Sequence, residues 1–451
     1  LKDFHPFGTD GIRGRSGQWP MVPEFVWHVV RAAVLELFSQ GGAKLVVVGR
    51  DTRASSLLFE RVVSAAASSC GMDIWSPGVA PTAAVAFLAA HADACCGIMV
   101  SASHNSWQDN GIKFFAPGGR KLRESEEIAI VERLSHASSG SSRLFRSHGR
   151  VRDWSEGLES YKDHCLETVA GRGSLSGMRL VVDGANGSVS EIAPQIFSAL
   201  GANVACVSVS PDGYNINMNC GSVHPETLID RTLGEKVDAG LAFDGDGDRL
   251  MMTDNRGHVF DGDDMLYMLA SSWHVADRLR DPVVGTVLSN MGLETALKRM
   301  GLSFERVRVG DRYVSERLAK TGGVLGGETS GHVVMPMLTP TGDGILTALQ
   351  VLYHLKEIGG ELAQLTETMV KYAQLMFNVP SNGKSADVLL RDPCFRAAME
   401  ETQSKLGSVG RVVVRPSGTE PVIRVMVEAE DPELSRYHMQ RLAHMLMRAV
   451  E

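Results

Sequence analysis

Three carboxylates stand at alternate positions in Asp244-Gly-Asp-Gly-Asp-Arg249, with a glycine between each pair. Glycine lets the backbone bend so that Asp244, Asp246 and Asp248 converge. Acids gathered at the end of an apolar strand repel one another unless a cation sits among them. Hard oxygen ligands of this kind suit Mg²⁺ better than a soft metal. An EF-hand loop needs glycine at its sixth position and glutamate at its twelfth, where this chain has Arg249 and Asn255.

A second loop, Val100-Ser-Ala-Ser-His-Asn105, leads into Asp109-Asn-Gly-Ile-Lys113. A serine among small residues at a strand end, with histidine beside it, suits a nucleophile. The Gly-x-Ser-x-Gly elbow of an α/β-hydrolase is missing around Ser103, so acceptance of a phosphoryl group is the better reading. A third loop, Gly326-Gly-Glu-Thr-Ser-Gly-His332, offers Glu328, Ser330 and His332 to sugar hydroxyls, and Val309-Gly-Asp-Arg-Tyr-Val314 upstream adds Arg312. In a fourth, Arg415-Pro-Ser-Gly-Thr-Glu-Pro-Val-Ile-Arg424, residues Ser417, Gly418 and Thr419 can present backbone N–H groups and hydroxyls while Arg415 and Arg424 clamp phosphate oxygens. The Walker spacing Gly-x-x-x-x-Gly-Lys-[Ser/Thr] does not occur there, so nucleotide hydrolysis is not implied. A fifth, Phe7-Gly-Thr-Asp-Gly-Ile-Arg-Gly14, sets glycines about Arg13, which favours close approach of backbone to a ligand.

Elements must carry these loops. Lys44–Gly49, Arg179–Gly184 and Pro282–Leu288 read as buried strands, and helical patterns over Ser55–Ser69, Val189–Leu200 and Gly292–Met300 follow them. Such alternation argues for an α/β architecture with mixed, largely parallel sheets. Further apolar strands over Gly97–Asn105, Ala239–Asp248 and Gly322–His332 run into the serine, aspartate and glutamate loops. A degenerate threefold repeat of one α/β unit is therefore expected, each copy giving one loop to a common site. After Met369 the pattern changes: a Ser/Asn/Gly linker-like patch at Ser381–Ser385, strands Gly410–Arg415 and Val422–Glu430 around the fourth loop, and a closing helix Pro432–Val450 form a smaller α+β domain. Ser135–Gly149 reads as a surface loop.

The chain has 451 residues, which at roughly 150 per domain suggests about three domains, one fewer than the pattern requires. With 44% apolar and 22% charged residues it is neither disordered nor collagen-like. A net charge of −8 disfavours a nucleic-acid partner, and an anionic substrate must be met by locally gathered cations. The seven cysteines form no Cys-x-x-Cys pair and read as reduced thiols in a cytoplasmic protein. Leu1–Arg15 has no apolar core of a secretory signal, and Val22–Phe38 carries Glu24, His28, Arg31 and Glu36, so it reads as an amphipathic helix and no membrane partner is expected.

Together, and in this order along the chain, the five loops resemble those of the α-D-phosphohexomutase superfamily. The opening Phe7–Gly14 looks like the branch that acts on glucosamine phosphates; the phosphomannomutase/phosphoglucomutase branch, acting on mannose or glucose phosphates, typically opens differently. The resemblance implies four domains around a central cleft, placed here at 1–150 (phosphoserine loop), 151–255 (metal loop), 256–370 (sugar loop) and 371–451 (phosphate loop). It implies an intramolecular phosphotransferase that converts glucosamine 6-phosphate to glucosamine 1-phosphate, on the route to UDP-N-acetylglucosamine. Ser103 would be the phosphoserine, charged by phosphorylation or by an activating sugar bisphosphate. Asp244, Asp246 and Asp248 would bind one Mg²⁺ with an oxygen of phosphorylated Ser103, supported by Arg249 and His104. Lys113 falls at a candidate acid/base position beside Arg13, and His332 lies near the reacting end. Asp311, Arg312, Glu328 and Ser330 would meet the sugar, and Arg415, Ser417, Gly418, Thr419 and Arg424 the phosphate that is not reacting. Two positions depart from the family pattern: Ser106 replaces a proline after Asn105, and Thr329 replaces a glutamine between the sugar-reading residues. The oligomeric state is left open between monomer and homodimer.

Overall fold

The computed structural model describes residues 6–137, 148–234, 236–380, 390–416 and 422–450. Four sheets follow one another along the chain. The first has six strands, in the spatial order Ile12–Arg15, Asp109–Phe115, Ala94–Val100, Ala43–Arg50, Asp73–Val79 and Val151–Asp153. The second has five: Val259–Phe260, Leu250–Thr253, Ala239–Phe243, Arg179–Asp183 and Asn203–Val207. The third has four: Phe304–Val307, Val283–Thr286, Gly326–Gly327 and Val333–Val334. Val151–Asp153 pairs in parallel with Asp73–Val79, so the first sheet takes in residues 151–153.

One plan recurs in all three. A buried strand (Ala43–Arg50, Arg179–Asp183 or Val283–Thr286) pairs in parallel with the next strand on one side and with a loop-bearing strand on the other. The loop-bearing strand then pairs antiparallel with its own return strand. The serine, aspartate and glutamate loops are thus the same turn in three copies, each at the carboxyl end of a parallel strand, where ligands of open α/β sheets bind. In the third copy the strand shrinks to Gly326–Gly327, because Gly322, at φ 76°, ends the helix Asp311–Thr321.

Helices Ser56–Ser68 and Met291–Arg299 lie where the apolar period put them. The helix expected from Val189 begins at Ile192, because the Ser188 N–H is drawn to the Gly245 carbonyl at 2.9 Å and holds the preceding turn on the metal loop. The helix Glu124–Ala137 takes in the start of the stretch read as a surface loop, since Ile130, Val131 and Leu134 pack on the first unit. Residues 138–147 and the patch at Ser381–Ser385 lie outside the described residues.

The fourth sheet is antiparallel, in the order Ala373–Pro380, Val422–Ala429, Gly410–Pro416, backed by helices Pro393–Leu406 and Pro432–Val450. Its apolar core is its own, whereas one continuous core runs through the first three units from Leu45 to Met369. Glu428, fully buried, ties the fourth unit to the third by accepting the Met291 N–H at 2.7 Å while pairing with Arg411 at 2.6 Å. Among the described residues no helix is long and apolar enough to cross a membrane. All seven cysteines are free, with Cys206 and Cys394 exposed.

Candidate active site

The strand Ala94–Val100 ends in a tight turn that places Ser103 in the left-handed region, at φ 53°. That conformation costs an L-residue roughly 1–2 kcal/mol, so something must hold it. Arg53, 2% exposed, lies beneath the turn. Its Nη2 donates to the carbonyls of Ser103 at 2.9 Å and Asn105 at 2.8 Å, and its Nη1 to those of Ser106 and Asp109. Its Nε donates to Asp51 at 2.8 Å. Asn217 of the second unit donates to the same Ser103 and Asn105 carbonyls at 2.8 and 2.9 Å. The backbone after Asn105 is therefore pinned by a guanidinium where a proline ring was expected. So held, the Ser103 hydroxyl donates to Asp244 Oδ2 at 2.6 Å.

Asp244, Asp246 and Asp248 are all buried and offer carboxylate oxygens within 4.8 Å of one another. The glycines between them serve close packing: a Cβ on Gly245 would lie 2.7 Å from the Ser103 carbonyl. Oδ1 of Asp246 and Oδ1 of Asp248 are buried without a hydrogen bond among the described residues. Burial, and then the charges of Asp246 and Asp248, push the Asp244 carboxyl up to about 8. The Lys113 ammonium reaches Asp246 at 2.7 Å and Asp248 at 2.9 Å, and the Thr82 hydroxyl also donates to Asp246. A hard donor set, two orphaned oxygens and a carboxyl forced toward its neutral form fit a divalent metal ion.

Around this centre charges alternate. Lys113 pairs with Asp10 at 2.7 Å, and Arg13 pairs with the same carboxylate at 2.6 Å. Lys121 bridges Asp10 to Asp311. Asp311 lies 3.5 Å from His332 Nε2, and His332 Nδ1 lies 3.6 Å from Asp248, which closes the circuit. Burial lowers the Lys113 and His332 pKa values, but the carboxylates around each outweigh it and raise both. His332 has its place because residue 342 is glycine: a Cβ there would sit 2.3 Å from His332 Nε2. His104 Nδ1 lies 3.3 Å from Ser103 Oγ, and burial with the charges of Arg249 and Arg13 pushes it down to about 3. The ring is therefore neutral near pH 7. Arg249 anchors its N–H on Asp244 at 3.2 Å, while its buried Nε finds no hydrogen-bond acceptor among the described residues.

The loops face a cleft of about 720 Å³, lined among others by Arg13, His104, Asp248, Arg249, Glu328 and Arg424. That volume is in the ~300–1,000 Å³ range of small-molecule sites. Family models described as phosphoglucomutase/phosphomannomutase α/β/α domains I, II and III match residues 5–140, 159–257 and 261–372, and the C-terminal domain model matches 376–448. A phosphoglucosamine mutase of Thioalkalivibrio sulfidiphilus (strain HL-EbGR7) is 43% identical over 99% of this chain and 98% of its own length. The chain belongs to the phosphoglucomutase/phosphomannomutase family. A phosphoglucosamine mutase of Halorhodospira halophila (strain DSM 244 / SL1) is 44% identical over 99% of this chain and 96% of its length. A phosphoglucomutase/phosphomannomutase family protein from Burkholderia thailandensis has the same fold, with a TM-score of 0.83 at 24% identity over 99% of this chain and 97% of its own.

As in a phosphoglucomutase/phosphomannomutase of four domains, residues far apart in sequence meet here. Ser103, the three aspartates, Lys113, Arg13, His104, Arg249 and His332 come together. Asp311, Glu328 and Ser330 join them on the cleft wall, Ser330 with a buried hydroxyl that has no hydrogen-bond partner among the described residues. Arg415 pairs with Arg424 across adjacent strands of the fourth unit, and Arg424 reaches the cleft wall. Ser417, Gly418 and Thr419 lie outside the described residues. Arg312 is not brought to the cleft wall; its guanidinium pairs at 2.6 Å with Glu127 of the first unit, an interdomain tie its position beside Asp311 did not announce. Thr329 donates to the buried Asp263 at 2.9 Å, so the hydroxyl at the departing position is held by the scaffold. Sequence reasoning missed Arg53, Asn217, Thr82, Asp10 and Lys121 as supports. Asp10 alone had a signal, inside the Phe7–Gly14 loop.

Proposed function

We propose that this chain interconverts glucosamine 6-phosphate and glucosamine 1-phosphate through phosphorylated Ser103 and a bisphosphorylated sugar. The observation that carries the reading is Ser103 Oγ set 2.6 Å from Asp244 at the meeting point of the three repeated loops. The bacterial relatives of the same length bear the corresponding name. Asp244, Asp246 and Asp248, with an oxygen of phosphorylated Ser103, would hold Mg²⁺, which when bound supplies positive charge against the phosphoryl oxygens.

A sugar hydroxyl attacks the phosphorus of phosphorylated Ser103 in line. The new P–O bond forms to the sugar as the bond to Ser103 Oγ breaks; the hydroxyl proton passes to the acid/base group, and Ser103 regains a proton. The bisphosphate turns round, and its other phosphate returns to Ser103 by the reverse step. Lys113, held by Asp10, Asp246 and Asp248, takes the acid/base role: its ammonium gives the proton that Ser103 Oγ regains as the P–O bond breaks and is refilled by the proton the sugar hydroxyl releases, while Arg13 shares the Asp10 anchor. Arg249 and neutral His104 steady the phosphoryl group, while Glu328 and Ser330 read sugar hydroxyls beside His332 and Asp311. Arg415 and Arg424, with Ser417, Gly418 and Thr419, grip the phosphate that is not reacting and accept either orientation. Positioning and charge do most of the work in such transfers. The exposed free thiols Cys206 and Cys394 agree with a reducing, cytoplasmic setting.

The test is a mutase assay with Mg²⁺ and a sugar bisphosphate on glucosamine, glucose and mannose phosphates, with Ser103→Ala as the control. A kcat/KM for glucosamine phosphate more than ~10-fold above the others, about 1.4 kcal/mol of transition-state preference, is expected, and Ser103→Ala is inactive but folded. Preference for another sugar overturns the substrate, and an active Ser103→Ala overturns the mechanism.

A further inference from the structure

Lys121 belongs to none of the five motifs and is not on the cleft wall, yet its ammonium joins two carboxylates that are. Asp10 comes from the first unit, Asp311 from the third. Asp10 holds both Lys113, at 2.7 Å, and Arg13, at 2.6 Å. Asp311 faces His332 Nε2 at 3.5 Å. The Lys121 side chain is 10% exposed. Its backbone is fixed by a bridge to Phe115 and by the turn that the Ala116 N–H closes on the Arg120 carbonyl at 2.8 Å. The ammonium is therefore presented from a rigid turn.

Two carboxylates that share one cation across a domain boundary repel each other when the cation is removed. The surplus negative charge then tightens Lys113 and Arg13 onto Asp10 and draws His332 toward Asp311, away from where a phosphosugar needs them. We propose that Lys121 is a positioning residue of the reaction, fixing Lys113, Arg13 and His332 through Asp10 and Asp311 and holding the first and third units in register. The inference rests on the mutase reading above. Its weight falls on kcat, because the groups that grip the distal phosphate sit in the fourth unit and Lys121 touches none of the three metal-loop aspartates.

Lys121→Met and Lys121→Arg in the full chain test this, with kcat and KM measured in both directions and Mg²⁺ affinity measured by calorimetry. Lys121→Met is expected to lose about 30- to 100-fold in kcat, the scale of a small misplacement of reacting groups. KM and Mg²⁺ affinity stay within about threefold, and Lys121→Arg, which keeps the charge, returns to within about fivefold of the parent. Should Lys121→Met fail to fold, Lys121→Gln takes its place with the same expectation. Three results overturn the inference: kcat within about threefold of the parent, a loss carried by KM alone, or an arginine variant as poor as the neutral one. A parent without mutase turnover overturns the functional reading and this inference with it; an active parent with an unaffected neutral variant overturns the inference alone.

Discussion

Replacing Arg53 with methionine keeps the side-chain stem in place and removes the guanidinium beneath the Ser103 turn. Its five side-chain hydrogen bonds go to Asp51 and to the carbonyls of Ser103, Asn105, Ser106 and Asp109. Asn217 still serves two of those carbonyls. Asp51 keeps the Ser56 and Ser101 hydroxyls but loses its only ion-pair partner among the described residues, at zero exposure. Breaking a buried pair from one side costs ~3–5 kcal/mol, and we take about 4 kcal/mol as the loss. That exceeds the ~1–2 kcal/mol of strain stored at Ser103, so the turn relaxes and the hydroxyl leaves Asp244. Amide exchange across residues 101–109 reads this as local opening, with about 4 kcal/mol corresponding to roughly a thousandfold faster exchange. Turnover falls by about tenfold or more as the strained conformer is depopulated. Arg53→Lys does not restore it, since a single ammonium cannot span four carbonyls and a carboxylate. An Arg53→Met variant with parental exchange and parental kcat would refute the argument and leave Asn217 as sufficient support.

Asp246→Asn removes one of the two carboxylates that carry an orphaned oxygen; calorimetry should show Mg²⁺ affinity falling by at least ~10-fold, and unchanged affinity would count against the metal loop. Asp343 caps the helix Gly344–Ile358 and accepts the Tyr161 hydroxyl at 2.8 Å between the second and third units, and burial pushes its carboxyl up from 3.8 to about 6. A carboxyl raised in the folded chain binds its proton better there than when unfolded, so it costs nothing below the unfolded value and destabilises increasingly as pH climbs to the folded one. Asp343→Asn keeps one oxygen for the Leu346 N–H and turns its amide N–H toward the Tyr161 hydroxyl oxygen, so it should gain up to about 3 kcal/mol over the parent at pH 7 but little near pH 4; an equal difference in Tm at both would contradict it. Arg424→Ala should raise KM for both the 1- and 6-phosphates, and an effect on one alone would argue against a shared clamp.

Legibility in the sequence followed the range of the interactions. Ser103 and the three aspartates could be read because glycine and small residues cluster around them at strand ends, and the three-copy plan because each copy repeats the same apolar strand and turn. Arg53 and Lys121 could not, because, Asp51 aside, their partners are carbonyls and carboxylates dozens to nearly two hundred positions away, brought near only by the fold. Arg312 shows the converse: its place beside Asp311 suggested the substrate, but one step round a helix turns a side chain toward another neighbour, here Glu127. The shortened strand Gly326–Gly327 was overestimated because a helix cap and a strand start draw on the same glycine-rich composition.

The core shared by the first three units sets a schedule for synthesis. Its apolar faces come from segments between Leu45 and Met369, so the earliest strands cannot finish burying their surface until the third unit has emerged. At ~5–20 residues per second that is a wait of roughly 20–70 s on the ribosome, with sticky surface exposed to the cell's holdases. The last unit, with a core of its own, emerges after that block and buries its apolar surface without it.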